Sequence, residues 1–141
     1  MKRILVTGAN KGIGLATVEN LLQNHPDTFL ILGSRDEKRG DEAVGLLTSK
    51  EPKWSERLMM LTIDVSSDES VTMAAETIAS SFETEAKPLY GIINNAGIGS
   101  SSIGLEPTLQ VNTWGIHRVY EAFVPLLEAS GPVSYTHLTL P

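Results

Sequence analysis

Three glycines near the start of the chain have the spacing of a turn that could hold a diphosphate group. Gly8, Gly12 and Gly14 follow a short apolar run at residues 4–6 and precede a helical pattern. Gly8 lets the backbone turn sharply, while Gly12 and Gly14 leave no side chain between the backbone and an incoming anion. The N–H groups in the first turn of the following helix would point at that anion. The further candidate contacts in this turn are Asn10, Lys11 and Ile13.

The spacing of the turn differs from two common nucleotide-binding motifs. Gly-x3-Gly-x-Gly is not the G-x-G-x-x-G dinucleotide fingerprint. A P-loop needs a lysine after its last glycine, followed by serine or threonine, whereas Lys11 precedes Gly12. We therefore predict a phosphate-binding turn of another form, and the alternative is a glycine-rich turn that binds no ligand.

Basic residues follow the second apolar run, where the adenosine ribose of a bound dinucleotide would lie. Ser34 and Arg35 close that run, and Arg39 follows one helical turn later. An acidic side chain at this place favours NAD, whereas arginine favours a 2′-phosphate through charge-assisted hydrogen bonds. Together with Lys11 on the glycine turn, these residues predict NADP(H). The alternatives are that the basic side chains only solvate a helix start, or that Asp36 accepts hydrogen bonds from the ribose of NAD.

Polar and small residues end two further apolar runs. Asp64 and Val65 follow the third run, and Asn94-Asn95-Ala96-Gly97 follows the fourth. Paired amides at a strand end can tie neighbouring strands together, and two small residues after them would let the backbone approach a flat ligand. An aspartate that ends a strand is by itself more typical of a cap.

The elements that must position these residues alternate between strands and helices. The apolar runs 4–6, 29–32, 58–63 and 89–93 are short enough for strands that are buried on both faces of a parallel sheet. Helical patterns separate them, and residues 4–32 already form one βαβ unit. The fold class predicted from this alternation is α/β.

A long helix is predicted from Pro107, with one polar residue on its apolar face. Leu109, Asn112, Val119 and Phe123 share that face. A buried amide without hydrogen-bond partners costs about 1–3 kcal/mol, so Asn112 needs partners. Asn112 is either a core residue whose amide has hydrogen-bond partners or part of a functional site.

The composition excludes several classes of protein. The 141 residues carry a formal net charge of −6 and are 41% hydrophobic, which fits one globular domain and argues against a general nucleic-acid or anionic-membrane binder. There is no cysteine and the three histidines are scattered, so we predict no disulfide and no metal site. Neither a signal peptide nor a run of about 18 apolar residues is present, and the expected location is cytoplasmic.

The glycine turn, the strand-end amides and the segment around Asn112 together resemble the short-chain dehydrogenase/reductase family. The turn Thr-Gly-Ala-Asn-Lys-Gly-Ile-Gly is most similar to the carbonyl reductase branch. The resemblance implies a Rossmann-type, doubly wound parallel sheet with strand order 3-2-1-4-5, formed by residues 1–132. It also implies hydride transfer between NADP(H) and a small-molecule carbonyl substrate.

The same resemblance implies roles for individual residues. Asp64 would accept a hydrogen bond from the adenine amino group, and Val65 would pack on the adenine ring. The tetrapeptide 94–97 would support the sheet and line a ribose of the cofactor. Asn112 would hold a water molecule in the proton relay beside the active site.

The remaining catalytic residues of the family have no convincing counterpart. The family places a serine at the end of the fifth strand and a Tyr-x3-Lys pair on the next helix, but the last lysine here is Lys87. Ser134 is rejected as that serine, because a strand of about 5–6 residues should precede it. The later strands are expected to be missing, and residues 133–141 are left unassigned, with a non-native tail as the hypothesis.

The sequence therefore predicts the NADP(H)-binding portion of a short-chain oxidoreductase whose longer parent reduces a ketone or aldehyde. The chain as given is predicted to be catalytically incomplete. A non-catalytic nucleotide-binding sensor or partner module is one alternative, and an inert truncation product is another. No nucleic-acid or membrane partner is expected.

Overall fold

The computed structural model describes residues 1–99, 103–129 and 131–135. Strands and helices alternate along these residues. Short 3₁₀ helices span Pro52–Arg57 and Val124–Leu126. The other elements, in chain order, are β1 (Lys2–Val6), α1 (Gly12–Asn24), β2 (Thr28–Ser34), α2 (Glu37–Lys50), β3 (Leu58–Thr62), α3 (Asp68–Ser81), β4 (Gly91–Asn94), α4 (Leu105–Asn112), α5 (Trp114–Phe123) and β5 (Val133–Tyr135).

The described strands form one five-stranded parallel sheet in the order β3-β2-β1-β4-β5. In the centre, Val6 of β1 pairs with Leu32 of β2 on one side and with Ile93 of β4 on the other. The strand order reverses between β1 and β4, which creates a crevice at the carboxyl ends of these two strands. The predicted Rossmann-type sheet and its strand order are confirmed.

Apolar residues are buried on both faces of this sheet. Leu5 and Ile31 belong to one buried cluster, which α3 and α5 cover. Val6 and Leu32 belong to a second cluster, which α1 and α2 cover. Successive residues of a strand point to opposite faces, so each central strand supplies both clusters. This is the doubly wound arrangement that short, continuously apolar strands predict.

The prediction of one long helix from Pro107 is wrong, because α4 begins at Leu105 and a second helix follows it. Thr113 separates them with φ −117° and ψ −64°. The apolar face of α5 is buried against the sheet through Val119 and Phe123. The break divides the segment into a helix beside the crevice and a helix in the core.

The segment 133–141 lies only partly within the described residues. Val133 pairs with Ile92 and Ser134 pairs with Ile93, so β5 extends the sheet next to β4. The hypothesis of a non-native tail is left untested and stays a prediction. In the part of the chain that the structure describes, no helix combines the length and the apolar character needed to cross a membrane.

Candidate functional site

The glycine turn adopts the conformation that its spacing predicts. Gly8 and Gly12 have φ values of +62° and +57°, a region that side chains other than glycine rarely occupy. A Cβ atom at Gly8 would lie 2.7 Å from the Cα of Ala96, so the turn packs directly on the segment after β4. A Cβ atom at Gly12 would meet no atom within 4 Å. The turn is therefore closed against the protein at Gly8 and open at Gly12.

Hydrogen bonds hold this turn against the end of β4. The Oγ1 of Thr7 accepts from the backbone N–H groups of Asn95 and Ala96 at 3.1 and 3.0 Å. The Nδ2 of Asn95 donates to the carbonyls of Thr7 and Gly8 at 3.1 and 3.0 Å. Thr7 is 1% exposed, so these bonds lie in the interior. The amide of Asn95 thus ties the end of β4 to the end of β1. This is the kind of contact that the sequence predicts for the paired asparagines.

The N-terminus of α1 lies at the open side of the turn and has no side-chain cap. Lys11 occupies the N-cap position, but its side chain makes no capping hydrogen bond, and the first helical turn contains no acidic residue. By contrast, Asp36 and Ser67 cap α2 and α3. The first N–H groups of a helix have no partner within the helix, and the helix dipole is positive there. The end of α1 is therefore suited to an anion.

A cleft of about 370 Å³ opens where the glycine turn, the ends of β3 and β4, and α4 meet. Its lining joins residues that the sequence places in five separate segments. The predicted site residues on this lining are Gly8, Asn10, Lys11, Gly12, Ile13, Arg35, Asp64, Val65, Asn95, Ala96 and Gly97.

Within the described residues, Lys11 and Arg35 are the cations on the cleft lining. Both side chains are exposed. Asp36 is absent from the lining, and its Oδ1 accepts from the backbone N–H of Arg39 at 2.8 Å. Asp36 therefore acts as the N-cap of α2, while Lys11 and Arg35 line the cleft.

Asp64 makes local hydrogen bonds and also lines the cleft, while the adenine contact that the resemblance implies stays a prediction. Its Oδ1 accepts from the N–H and the Oγ of Ser66 at 2.9 and 2.6 Å, so the carboxylate holds the turn after β3. Asp64 also lines the cleft beside Val65. The aspartate thus closes the turn after β3 and also forms part of the cleft wall.

Four other predicted site residues do not line the cleft. Gly14 is buried, and a Cβ atom there would lie 2.6 Å from the carbonyl oxygen of Gly8. Asn94 is 2% exposed within β4. Ser34 is fully buried, and its Oγ donates to the carbonyl of Asp36 at 2.8 Å. Arg39 is exposed in the first turn of α2. These four residues are therefore not on the cleft lining.

Asn112 lies behind the cleft at the last residue of α4. Its Oδ1 accepts from the N–H of Ile98 at 2.8 Å, and its Nδ2 donates to the carbonyl of Ile98 at 2.7 Å. Asn112 is half-buried, and both ends of its amide have hydrogen-bond partners, as an amide on an otherwise apolar face requires. Asn112 therefore holds the segment after Gly97 in place. The proton-relay role that the resemblance implies stays a prediction.

Comparison with known proteins decides the family. The family model described as short chain dehydrogenase matches residues 2–133. The chain belongs to the short-chain dehydrogenase family.

Relatives and solved structures of this family resemble the chain over most of its length. The mitochondrial D-beta-hydroxybutyrate dehydrogenase of Bos taurus is 35% identical over 134 residues, which cover 89% of this chain and 37% of the relative. The structure of NADPH-bound carbonyl reductase from chicken fatty liver is 29% identical with a TM-score of 0.72, over 89% of this chain and 51% of that chain.

A third similar protein is an NADPH-bound short chain oxidoreductase from Pseudomonas aeruginosa PAO1, described as containing an atypical catalytic center. It is 26% identical with a TM-score of 0.77, over 95% of this chain and 52% of that chain. The present chain thus spans 37% of the length of the bovine relative and about half of each solved structure. The chain has the nucleotide-binding fold of the short-chain dehydrogenases.

Three apolar residues of the short-chain dehydrogenase cleft were not predicted from the sequence. Ile63, Ile98 and Val111 line it together with the predicted residues. Ile63 ends an apolar run and looks like strand core, while Val111 precedes Asn112 and looks like helix core. Each of the three is the direct sequence neighbour of a predicted site residue, and this is the signal in the sequence that could have identified them.

A second concavity, of about 400 Å³, lies between β3 and α3. Met60, Thr62, Ser67 and Met73 are among its lining residues. It contains none of the glycine-turn or strand-end residues that define the first cleft. The predicted site residues therefore meet at the first cleft and not at this second concavity.

Proposed function

We propose that the cleft binds NADP(H). The observation that carries this proposal is that Lys11 and Arg35 line the same cleft as the open glycine turn at Gly12. A diphosphate fits the uncapped N-terminus of α1, and a 2′-phosphate fits the guanidinium of Arg35 through charge-assisted hydrogen bonds. The NADPH-bound chicken and Pseudomonas proteins support the choice of cofactor.

The other site residues take roles around this cofactor in the proposal. Asp64 and Val65 hold the adenine, and Ala96 and Gly97 leave room for a ribose beside their backbone. Asn94 and Asn95 support the sheet under it. Arg39 adds positive charge near the adenosine end, and Ser34 holds the turn that presents Arg35.

We further propose that a longer parent protein uses the cofactor to reduce a ketone or aldehyde. NADPH, when bound, supplies a hydride to the carbonyl carbon. This sequence contains no lysine after Lys87 and therefore no Tyr-x3-Lys pair beyond β4. Without a positioned proton donor the developing alkoxide is not stabilised. The 141-residue chain is accordingly proposed to bind the cofactor without reducing carbonyls, and its location is proposed to be cytoplasmic.

Titration of the 141-residue chain with NADPH and with NADH, followed by cofactor fluorescence, tests the cofactor proposal. We expect NADPH to bind tighter than NADH by about tenfold or more, because only NADPH offers the 2′-phosphate. Equal affinities would overturn the choice of NADP(H). Absence of binding to a chain that unfolds cooperatively would overturn the nucleotide-binding function itself.

Incubation of the same chain with NADPH and simple ketones or aldehydes tests catalytic incompleteness. We expect no oxidation of NADPH above the background without protein. Turnover that scales with protein concentration would contradict this. A chain that shows no cooperative thermal transition would support the inert truncation product instead.

A further inference from the structure

Helix α5 approaches one wall of the cleft through a residue that is not on the lining. Gly115 is buried in the first turn of α5. A Cβ atom there would lie 2.9 Å from the Cγ2 of Val65 and 3.1 Å from its carbonyl oxygen. Any larger residue must push Val65 away from α5, so glycine sets how closely the helix and this cleft residue pack.

One turn further along α5, Arg118 binds the same segment. Its Nε donates to the Oδ1 of Asp68 at 2.7 Å, and its Nη1 donates to the carbonyl of Val65 at 3.4 Å. The other contacts reach α4, where Nη1 donates to the carbonyl of Gln110 at 3.0 Å and Nη2 donates to its Oε1 at 2.6 Å. The Arg118 side chain is only 19% exposed. One guanidinium therefore connects the segment after β3 to the last turn of α4.

The break between α4 and α5 explains why α4 needs this partner. The last four carbonyl groups of a helix have no N–H donor within the helix. Arg118 donates to one of them, on Gln110, and so satisfies it from the neighbouring helix. The next residue, Val111, lines the cleft, as Val65 does on the other segment. Arg118 thus holds two parts of the lining at a fixed separation.

We propose that Arg118 is a positioning residue that, together with Gly115, sets the separation of Val65 and Val111 and thereby the affinity of the cleft for NADP(H). The inference rests on the proposed function of the cleft. A planar guanidinium with five fixed donors can satisfy acceptors on both segments simultaneously. A lysine carries its donors on one atom and cannot span them in the same way.

Arg57 provides a matched control at the amino ends of β2 and β3, away from the cleft. Its Nη1 donates to the carbonyls of His25 and Thr28 at 3.1 and 3.2 Å, and its Nη2 donates to the carbonyl of Leu22. Arg57 therefore also connects separate elements through backbone carbonyls. None of these residues lines the cleft. Replacing either arginine by methionine removes the same charge and keeps an unbranched side chain.

The test compares Arg118→Met with Arg57→Met by thermal unfolding and by NADPH titration of the 141-residue chain. We expect both variants to lower Tm, because each loses several hydrogen bonds to carbonyls. Only Arg118→Met should raise the Kd for NADPH, by about tenfold. Arg118→Lys should restore part of Tm and little of the affinity. Equal changes in Kd for Arg118→Met and Arg57→Met would overturn the proposal.

A second pair of variants keeps the test decisive if Arg118→Met folds poorly. Gly115→Ala should weaken NADPH binding. The same substitution should weaken binding less in a Val65→Ala background, because the Cγ2 atom that the new methyl group meets is absent there. Additive effects of the two substitutions on the affinity would contradict the inference.

The positioning can also be measured without any ligand, which separates it from the proposed function. The ¹³C methyl resonances of Val65 and Val111 should shift in Arg118→Met and stay unchanged in Arg57→Met. Unchanged Val65 and Val111 resonances in Arg118→Met would overturn the inference even if the chain binds NADPH. Failure of the wild-type chain to bind NADPH, with these shifts present, would overturn only the proposed function.

Discussion

Two neighbouring residues at the end of β2, Ser34 and Arg35, have different environments. Ser34 is buried, and its Oγ both donates to the carbonyl of Asp36 and accepts from its N–H, at 2.8 and 3.3 Å. This pair of bonds brackets Arg35 and fixes the turn in which it lies. Arg35 itself is exposed at the cleft. A buried hydroxyl therefore presents a cation that solvent and a ligand can both reach.

Arg35→Ala tests whether this cation recognises a 2′-phosphate. We expect the Kd for NADPH to rise by about tenfold or more, since hydrogen bonds to charged groups contribute about 1.5–3 kcal/mol. The Kd for NADH should stay nearly constant because NADH has no 2′-phosphate. Fluorescence titration of both cofactors measures the ratio. Lys38→Ala is the control, because it removes an equal charge from an exposed residue that is not on the lining. An equal loss for NADPH and NADH would contradict this assignment.

At the scale of elements, α2 shows how context decides the effect of a helical glycine. Gly40 is buried, and a Cβ atom there would lie 2.8 Å from the Cγ of Met60 and 3.1 Å from the Cβ of Ser34. Gly45 is exposed, and a Cβ atom there would meet nothing within 4 Å. From the sequence both glycines only weaken the helix. The structure shows that Gly40 allows α2 to pack closely on β2 and β3.

Gly45→Ala and Gly40→Ala should therefore change stability in opposite directions. Alanine favours a helix over glycine by about 1 kcal/mol, and Gly45→Ala should raise the free energy of unfolding by about that amount. Gly40→Ala gains the same propensity but overpacks the interface, which costs about 1–3 kcal/mol, so its net effect should be destabilising. Urea unfolding of the two variants measures the difference. Equal stabilisation by both would show that Met60 moves aside without cost.

At the scale of the whole molecule, the α/β class could be predicted because its signals are local and repeated, whereas the strand order 3-2-1-4-5 was implied by the resemblance to the family. Four apolar runs separated by helical patterns define a parallel α/β sheet, and the glycine turn locates its first crossover. The arrangement around Thr113 could not be predicted in this way. The helix break there is accompanied by bonds from Asn112 to Ile98 and from Arg118 to Gln110, which join residues from different elements. Helical periodicity alone contains no information about those contacts.

The cleft residues could also be predicted only where their signal is local to the sequence. Residues with unusual chemistry, such as the glycines and Arg35, could be recognised one by one. Ser34 follows the predicted run 29–32, but β2 continues to Ser34 and buries its side chain. Whether a strand-end residue faces the cleft or the core depends on where pairing stops, and here Ser34 still pairs with Thr62 of β3. Apolar residues such as Val111 have no unusual chemistry, so in the sequence only their adjacency to a predicted site residue points to them, and packing decides whether they line the cleft.

An ion pair joins the first strand to the segment after α3, and it gives the whole chain a predictable dependence on pH. The Nη1 and Nη2 atoms of Arg3 donate to both carboxylate oxygens of Glu85 at 2.8 and 2.7 Å. The Cζ of Arg3 also lies 4.1 Å from the ring centroid of Phe82. The hydrogen bond from Arg3 is the largest cause that holds the pKa of Glu85 below its ordinary value of 4.5, and the charge of Arg3 adds to it.

A carboxyl group with a lowered pKa stabilises the folded chain only while it is ionised. Its contribution is fully present above the ordinary pKa and is lost as the pH falls through the lowered pKa of the folded state. Glu85→Gln should therefore destabilise the chain at about pH 7, and its effect should be smaller at an acidic pH below the lowered pKa, where the wild-type carboxyl is protonated as well. Urea unfolding of both proteins at the two pH values measures this. In an Arg3→Met background, the effect of Glu85→Gln should no longer depend on pH. If the effect in the wild-type background is equally large at both pH values, Glu85 acts through something other than its charge.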